Sequence, residues 1–462
     1  MKQLFAVGTL AVASLAPALA QVTPAPAFAS YQKPFAADSL WNSYPLNPVL
    51  GSWEIPATTW NPAIQAGAYS SGIFEAKASD APMLIYPVAG ASGVLDTDTE
   101  MRTPTYTIPH WPPATLPATG GDGHADIVDA SLNRIYSFSN LKKNAEGKWT
   151  ATRVSWTPLN GSGWGDPAHY YQGARAAGPA PTGGMIRIAE ANDGKALFEH
   201  ALSMSLDFTG LAPAPDHYIY PATAGDSTVP TKPNTGKIPE GARVMLPPNF
   251  DLSKITDARL LKVARTLMKY GAYVVDRNDN TPFAIYVEIG AAWASSPPDQ
   301  LNLVRKALRQ VVSQSGHIDG NGKPRVPESR VNLMSLRGAW TLIDGVGQQA
   351  VYDTFSQSLV WGTTTTRPMT QINYSNWSLG RVKGSFPTAP KRYKLYVEST
   401  GGTTLSMTMQ VGTVKTTTEQ LGNFQSQIVV WPDKATAYFT AKKPVGGPAT
   451  LKARLIELPP GE

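Results

Sequence analysis

The amino-acid sequence predicts a mainly β protein: a β-sandwich, jelly-roll-like main domain with two helices, followed by a smaller C-terminal β-sandwich module. Three observations carry that expectation. Between Asp38 and Pro298 the chain runs in short alternating apolar and polar stretches cut by Gly, Pro, Asn and Asp, a rhythm of sandwiches and barrels rather than of βαβ units. Gly and Pro number 40 each in 462 residues, too many breakers for a long coiled coil. Helical periodicity surfaces in two stretches before residue 315 and nowhere after Thr366.

From the N-terminus, residues 1–20 (MKQLFAVGTLAVASLAPALA) place Lys2 before an apolar run from Leu4 to Leu15 and end on the small-residue site Ala18-Leu19-Ala20. This is the layout of a secretory signal peptide, and its apolar run is too short to span ~30 Å of hydrocarbon. The mature chain is expected to be soluble, secreted or periplasmic, with no membrane anchor. Gln21 to Phe28 is a Pro/Ala lead-in. Asn133–Ser139 and Trp149–Trp156 flank a polar loop and predict a β-hairpin. Tyr273–Asp276 and Phe283–Ile289, on either side of Asn278-Asp279-Asn280, predict another. Phe198–Phe208 alternates as one strand, with His200 on its apolar side.

Asp257–Tyr270 carries Leu260, Leu261, Val263, Ala264, Leu267 and Met268 at helical spacing, with Gly271 at the C′ position. Asp299–Gln314 is the second predicted helix, on Leu301, Val304, Leu308 and Val311. The Thr-rich break at Thr363–Pro368 sets the expected boundary. It divides a main domain over 21–365 from an accessory module over 366–462, with strands at Tyr393–Val397, Leu405–Val411, Gln427–Trp431 and Ala435–Ala441.

Composition narrows the function. Cysteine is absent, which excludes thiol catalysis, zinc ribbons and disulfide scaffolds. The net charge of +6 is scattered, with no Arg-rich stripe, so nucleic acid is a poor partner, whereas an acidic polysaccharide is compatible. No G-x-S-x-G elbow, H-E-x-x-H, Walker loop or strand-bound G-x-G-x-x-G occurs. No cofactor is expected, although Asp-rich loops such as Asp276–Asp279 could hold a structural calcium through oxygen ligands. The sequence carries no signal of oligomeric state.

Several polar residues are candidates for chemistry, each with a plainer alternative. In Gly121–Ser131 (GDGHADIVDAS), an extended backbone projects His124 and Asp126 to one face and Asp129 to the other. The pair could share a proton, or the segment is a turn leading to a solvated edge strand. His200 is either a satisfied core histidine or a base in a groove, its charged form disfavoured by apolar neighbours. Arg187 could clamp a carboxylate and Glu190 stands beside it, or both belong to an ion pair. Tyr218 and Tyr220 suit sugar stacking or strand packing. Asp226 lies in a loop, and Asp276 ends a strand, where a carboxylate serves catalysis or a turn. Glu240–Pro248 reads as structural.

At these motifs the chain resembles a group of secreted bacterial proteins, common in soil bacteria and mostly without an assigned activity. The residues that carry the resemblance are Asp38–Asn42 (DSLWN), Gly183–Arg187 (GGMIR), His200–Leu202 (HAL), Tyr220–Asp226 (YPATAGD), Gly241–Leu246 (GARVML) and Tyr270–Asp276 (YGAYVVD). Together they cover roughly Ala37 to Ile289. The resemblance implies a shared secreted β-rich scaffold and no particular reaction.

Export, a sandwich fold, 12 Trp and 18 Tyr point to a carbohydrate-active protein. The first expectation is a glycoside hydrolase acting on a polysaccharide, with its carboxyl pair drawn from Asp126, Asp129, Glu190, Asp226 and Asp276 and tuned by His124 or His200. The alternatives are a polysaccharide lyase, with Arg187 against a uronate and His200 or Tyr220 as base, and a non-catalytic glycan-binding or cell-envelope protein. All of these share one geometric expectation, that the candidates converge at the floor of one groove.

Overall fold

The computed structural model describes residues 27–458, apart from 98–100, 166–172, 215, 227–229, 326–333, 335, 337–339, 354–355, 357, 365 and 374–389. The proposed signal peptide and its cleavage site lie outside the described residues. The fold is mainly β, as the sequence predicts, and its strands form stacked sheets.

Four layers build the N-terminal part. The helix Ala258–Lys269 forms where the periodicity places it, with the Asp257 carboxylate accepting from Leu260 N at 2.7 Å as N-cap. Gly271 follows at φ +73°, a left-handed position that a side chain would strain. Leu260, Val263, Ala264 and Leu267 of this helix, with Leu301 and Val304 of the helix Pro298–Ala307, pack on Leu202, Met204, Val244, Ala272, Val274 and Ile285. Those residues belong to a seven-stranded sheet ordered Val49–Leu50, Arg309–Ser313, Arg243–Met245, Ala272–Asn278, Leu202–Asp207, Phe283–Tyr286, Ala63–Gln65. The opposite face of that sheet presents Tyr273, Val275 and Tyr286 to Ile73, Val128 and Ile135 of a six-stranded sheet. Between them lie Trp41 and Trp164, stacked with ring centres 4.7 Å apart. The six-stranded sheet in turn buries Ile127, Tyr136, Phe138 and Val154 against Ile85, Ile108, Trp149 and Ala151 of a four-stranded sheet.

Three local expectations are corrected. Phe283–Tyr286 does not pair with Ala272–Asn278 as a hairpin; Leu202–Asp207 lies between them, parallel to the latter and antiparallel to the former. The second helix stops at Ala307, and Arg309–Ser313 turns into a strand paired with Arg243–Met245, because β-branched Val311 and Val312 sit better in an extended chain. The strand expected over Phe198–Phe208 begins at Leu202, so His200 precedes it. The hairpin around residue 144 forms, with Arg134–Ser139 antiparallel to Arg153–Pro158.

Two five-stranded antiparallel sheets share the last core, which includes Trp361, Tyr393, Leu395, Met407, Phe439 and Leu455. Their strands begin at Thr341–Asp344, Val351–Asp353 and Ser358–Trp361, ahead of residue 366.

Candidate functional site

A groove of about 760 Å³ opens at one end of the seven-stranded sheet. Its floor is set by a defect in the strand Ala272–Asn278. By simple alternation Asp276 would follow Ala272 and Val274 to the helix-covered face. The pairing with Leu202–Asp207 slips between Met204 and Ser205, opposing Ser205 to Asp276. This extra residue turns Asp276 to the other face, where it meets Arg175 and Tyr286.

Arg175 Nη1 donates to Asp276 Oδ2 at 3.2 Å and to the carbonyl of Tyr69 at 3.2 Å. Its guanidinium lies over the Tyr286 ring at 3.7 Å, and the Tyr286 hydroxyl donates to Asp276 Oδ2 at 3.5 Å. Arg175 is 2% exposed, and its Nε and Nη2 have no hydrogen-bond partner among the described residues. Burial pushes the Asp276 carboxyl up to about 6, against the pull of Arg175; the charges of Asp226 and Asp122 add to the rise.

Asp226 and Asp122 line the same groove. Asp226 is fixed through its backbone: its N–H donates to Glu240 Oε2 at 2.6 Å. The approach requires glycine before it, since a Cβ at Gly225 would lie 2.9 Å from Glu240 Oε2 and 2.7 Å from the His217 ring. Glu240 is 1% exposed, and its Oε1 has no hydrogen-bond partner among the described residues. Burial raises its pKa well above the usual carboxylate range, and the nearby charges of Asp276 and Asp226 push the same way. Trp60 and Tyr69, 61% and 58% exposed, stand on the wall with Arg277 and Asn278.

His124 and Asp126 line neither this groove nor the cavity around His200. His124 Nδ1 donates to the Phe138 carbonyl at 3.1 Å and its Nε2 lies 3.9 Å from Asp122 Oδ2. Burial, with the Arg175 charge, pushes His124 down to about 3, so the ring is neutral at neutral pH. Asp126 is fully buried, and its Oδ2 accepts from the Thr182 N–H at 2.7 Å and from the Thr182 hydroxyl. Burial pushes Asp126 up to about 6. Asp129 points to the other face, as alternation requires, and pairs with His110 Nδ1 at 2.7 Å.

His200, Arg187 and Glu190 line a different cavity, of about 250 Å³, and do not join the groove. His200 Nε2 meets Glu190 Oε1 at 2.8 Å, and its Nδ1 lies 2.8 Å from the Ala201 carbonyl. Burial alone would lower the His200 pKa, but the Glu190 charge and hydrogen bond raise it. Glu190 also accepts from Arg187 N at 2.8 Å, closing the first turn of Ile188–Ala191. Arg187 Nε donates to Glu288 Oε2 at 2.8 Å and its Nη1 to the Tyr31 carbonyl at 2.9 Å. Tyr218 forms an isolated bridge with Glu240 and packs against His217, whereas Tyr220 is exposed beside a cis Tyr220–Pro221 bond. The Asp276–Asp279 segment is turned toward cations: Asp279 holds Lys232 at 3.0 Å and Arg277 at 3.3 Å. Among the described residues, no group of three or more acidic or His side chains is placed to hold a metal ion.

The expected single groove thus divides in two, with Asp226 and Asp276 in one and His200, Arg187 and Glu190 in the other. Sequence reasoning passed over Arg175, Glu240, Trp60 and Tyr69. Arg175 did leave a trace: it is the one charge in Gly173–Pro181 (GARAAGPAP), a setting that suits a buried cation.

No helix among the described residues is long and apolar enough to cross a membrane. No family model and no curated protein matches the chain. Among solved structures, partial likenesses are found to a glycosylation-associated Gap123 complex from Streptococcus agalactiae (13% identity, TM-score 0.18, 26% of this chain and 45% of that one). They extend to TmCBM61 in complex with beta-1,4-galactotriose (8% identity, TM-score 0.17, 26% and 89%). A family two carbohydrate esterase from Cellvibrio japonicus gives 16% identity and a TM-score of 0.13 over 26% of this chain and 35% of that one. The chain spans less than half of the first of these proteins, and scores of this size carry no argument about fold or function.

Proposed function

We propose that the protein is an exported carbohydrate-active enzyme, a glycoside hydrolase that holds a polysaccharide in the Asp276 groove. The observation that carries this reading is the meeting of Asp226 and Asp276, from separate segments, on one open groove flanked by exposed Trp60 and Tyr69. Glycoside hydrolysis uses two carboxyls ~5 to 9.5 Å apart, one protonated and one ionised at the working pH. Asp276, pushed up to about 6 by burial, keeps its proton in mildly acid solution and serves as general acid. Asp226, at the more open wall, serves as base or nucleophile. The Asp276 proton passes to the glycosidic oxygen as its bond to the anomeric carbon breaks. Asp226 takes a proton from the attacking water, or attacks that carbon itself before water releases it. Trp60 and Tyr69 offer ring faces to the sugar.

A lyase is the second reading; its nearest cation is Arg277 on the same wall, which would have to exchange Asp279, 3.3 Å away, for a uronate carboxylate. Arg187 is committed to Glu288 in the other cavity. The test is reducing-end release from neutral and uronate glycans, with absorbance of unsaturated uronate followed in parallel. Hydrolysis predicts reducing ends without absorbance, lost in Asp226→Asn and Asp276→Asn. Absorbance would transfer the site to lyase chemistry. Glycan retention with unchanged polymer length across the panel would leave a binder and overturn the hydrolase.

A further inference from the structure

The geometry points to a second carbohydrate site, on residues that line neither cavity described above. We propose that the outer face of the sheet built on Arg392–Ser399 binds a carboxylate-bearing polysaccharide. In that strand (RYKLYVES), Tyr393, Leu395 and Val397 are buried, so Arg392, Lys394, Tyr396 and Glu398 stand on the opposite face. On the neighbouring strand Ala449–Glu457, Leu451, Ala453 and Leu455 are buried, which puts Lys452 and Arg454 on that same outer face. The register sets Tyr396 opposite Arg454 and Glu398 opposite Lys452. On the other flank, exposed Ile428 and Val430 lie opposite Lys394 and Arg392.

On these two strands four cations therefore share one face with one tyrosine and one carboxylate, on a chain whose whole net charge is +6. Glu398 is taken by Arg454 at 3.5 Å. Arg392, Lys394 and Lys452 have no carboxylate partner among the described residues. Strand spacing of ~4.8 Å and same-face spacing of ~6.8 Å array these charges as a flat lattice. A lattice matches a chain that repeats its carboxylates better than it matches a single anion. The Tyr396 ring, central and half-exposed, adds an apolar plane for a sugar ring. Charge complementarity and this aromatic centre select an acidic glycan; among the described residues the face carries no row of aromatics to interleave with nucleic-acid bases.

The test uses the full chain in affinity electrophoresis through gels containing polygalacturonate or neutral galactan, alongside flotation with phosphatidylglycerol vesicles. The expected result is retardation by polygalacturonate alone, weakening as salt rises from ~0.05 to ~0.5 M. The double variant Lys394→Gln/Lys452→Gln should weaken retention roughly tenfold, and Tyr396→Ala several-fold, with unchanged melting temperatures. Trp60→Ala/Tyr69→Ala, which strips the ring faces from the groove, should be retained by polygalacturonate as the wild type is, so this site and the groove fail or stand independently. Equal retention by galactan, unchanged binding in the double variant, or binding to the vesicles without retention by polygalacturonate would each overturn the proposal.

Discussion

Arg175 Nη1 reaches Asp276 Oδ2 at 3.2 Å, an ion pair in which the guanidinium is buried and the carboxylate is half-buried at the groove. The arginine orients an acid whose own burial raises its pKa to about 6, and its stack on Tyr286 fixes it there. Breaking such a pair from one side leaves an uncompensated buried group at a cost of about 3–5 kcal/mol. Arg175→Ala should therefore lower stability by about that amount and raise the Asp276 pKa further, since one lowering influence is gone. Arg175→Lys should restore part of the stability but not the stacked geometry. Urea titrations with the pH–rate profile of each variant check both effects.

Catalysis by Asp276 as acid has a defined pH sign. Activity should fall as pH rises through about 6, where the carboxyl loses its proton. Asp276→Asn should abolish that limb and reduce kcat by about 10²–10⁴-fold, the usual worth of a positioned proton donor. An unchanged alkaline limb in that variant assigns the acid elsewhere.

Asp126 answers to stability rather than turnover. Its folded pKa is raised from 3.8 to about 6, so the native state holds the proton more tightly than the unfolded chain. Its contribution is fully present below about pH 4 and is lost as pH rises through about 6, a change of about 2–3 kcal/mol. Asp126→Asn removes this dependence. Relative to the wild type, the variant should gain about that much between pH 4 and pH 8, read by chemical denaturation at both pH values.

His200→Gln should leave glycan turnover intact, because the ring lies in the other cavity and its two nitrogens already meet Glu190 and the Ala201 carbonyl. Its effect is structural. The raised His200 pKa gives stability that is present at acid pH and fades as pH rises through the folded value; the lowered Glu190 pKa removes the pair's benefit at still lower pH. The variant should lose about 1–3 kcal/mol near pH 6 and less at pH 9.

Trp60→Ala and Tyr69→Ala test the sugar platform. Each should raise KM roughly tenfold with kcat little changed, since uniform binding is lost. A fall in kcat alone would place these rings outside the binding path.

Local rules read well in this chain and long-range ones did not. The helix Ala258–Lys269 carried its apolar stripe, its Asp257 cap and its Gly271 stop in the sequence itself. The C-terminal strands were legible because Tyr393, Leu395 and Val397 alternate with polar residues. What escaped was pairing between distant segments. Nothing local announces that Leu202–Asp207 inserts beside Ala272–Asn278, or that a slip at Ser205 turns Asp276 toward Arg175. Glu240 read as a turn residue because its partner is the backbone of Asp226, reached only through Gly225. The alternation that sets His200 on the apolar side of a strand starts too early, since the strand begins at Leu202.

The most direct measurement is a crystal structure of Asp276→Asn bound to an oligosaccharide that the wild type cleaves. The expected result is a sugar chain lying along Trp60 and Tyr69, with its glycosidic oxygen within about 3 Å of residue 276 and Asp226 facing the same anomeric carbon. A chain seated in the His200 cavity, or on the sheet face around Tyr396 with the groove holding only solvent, would contradict it.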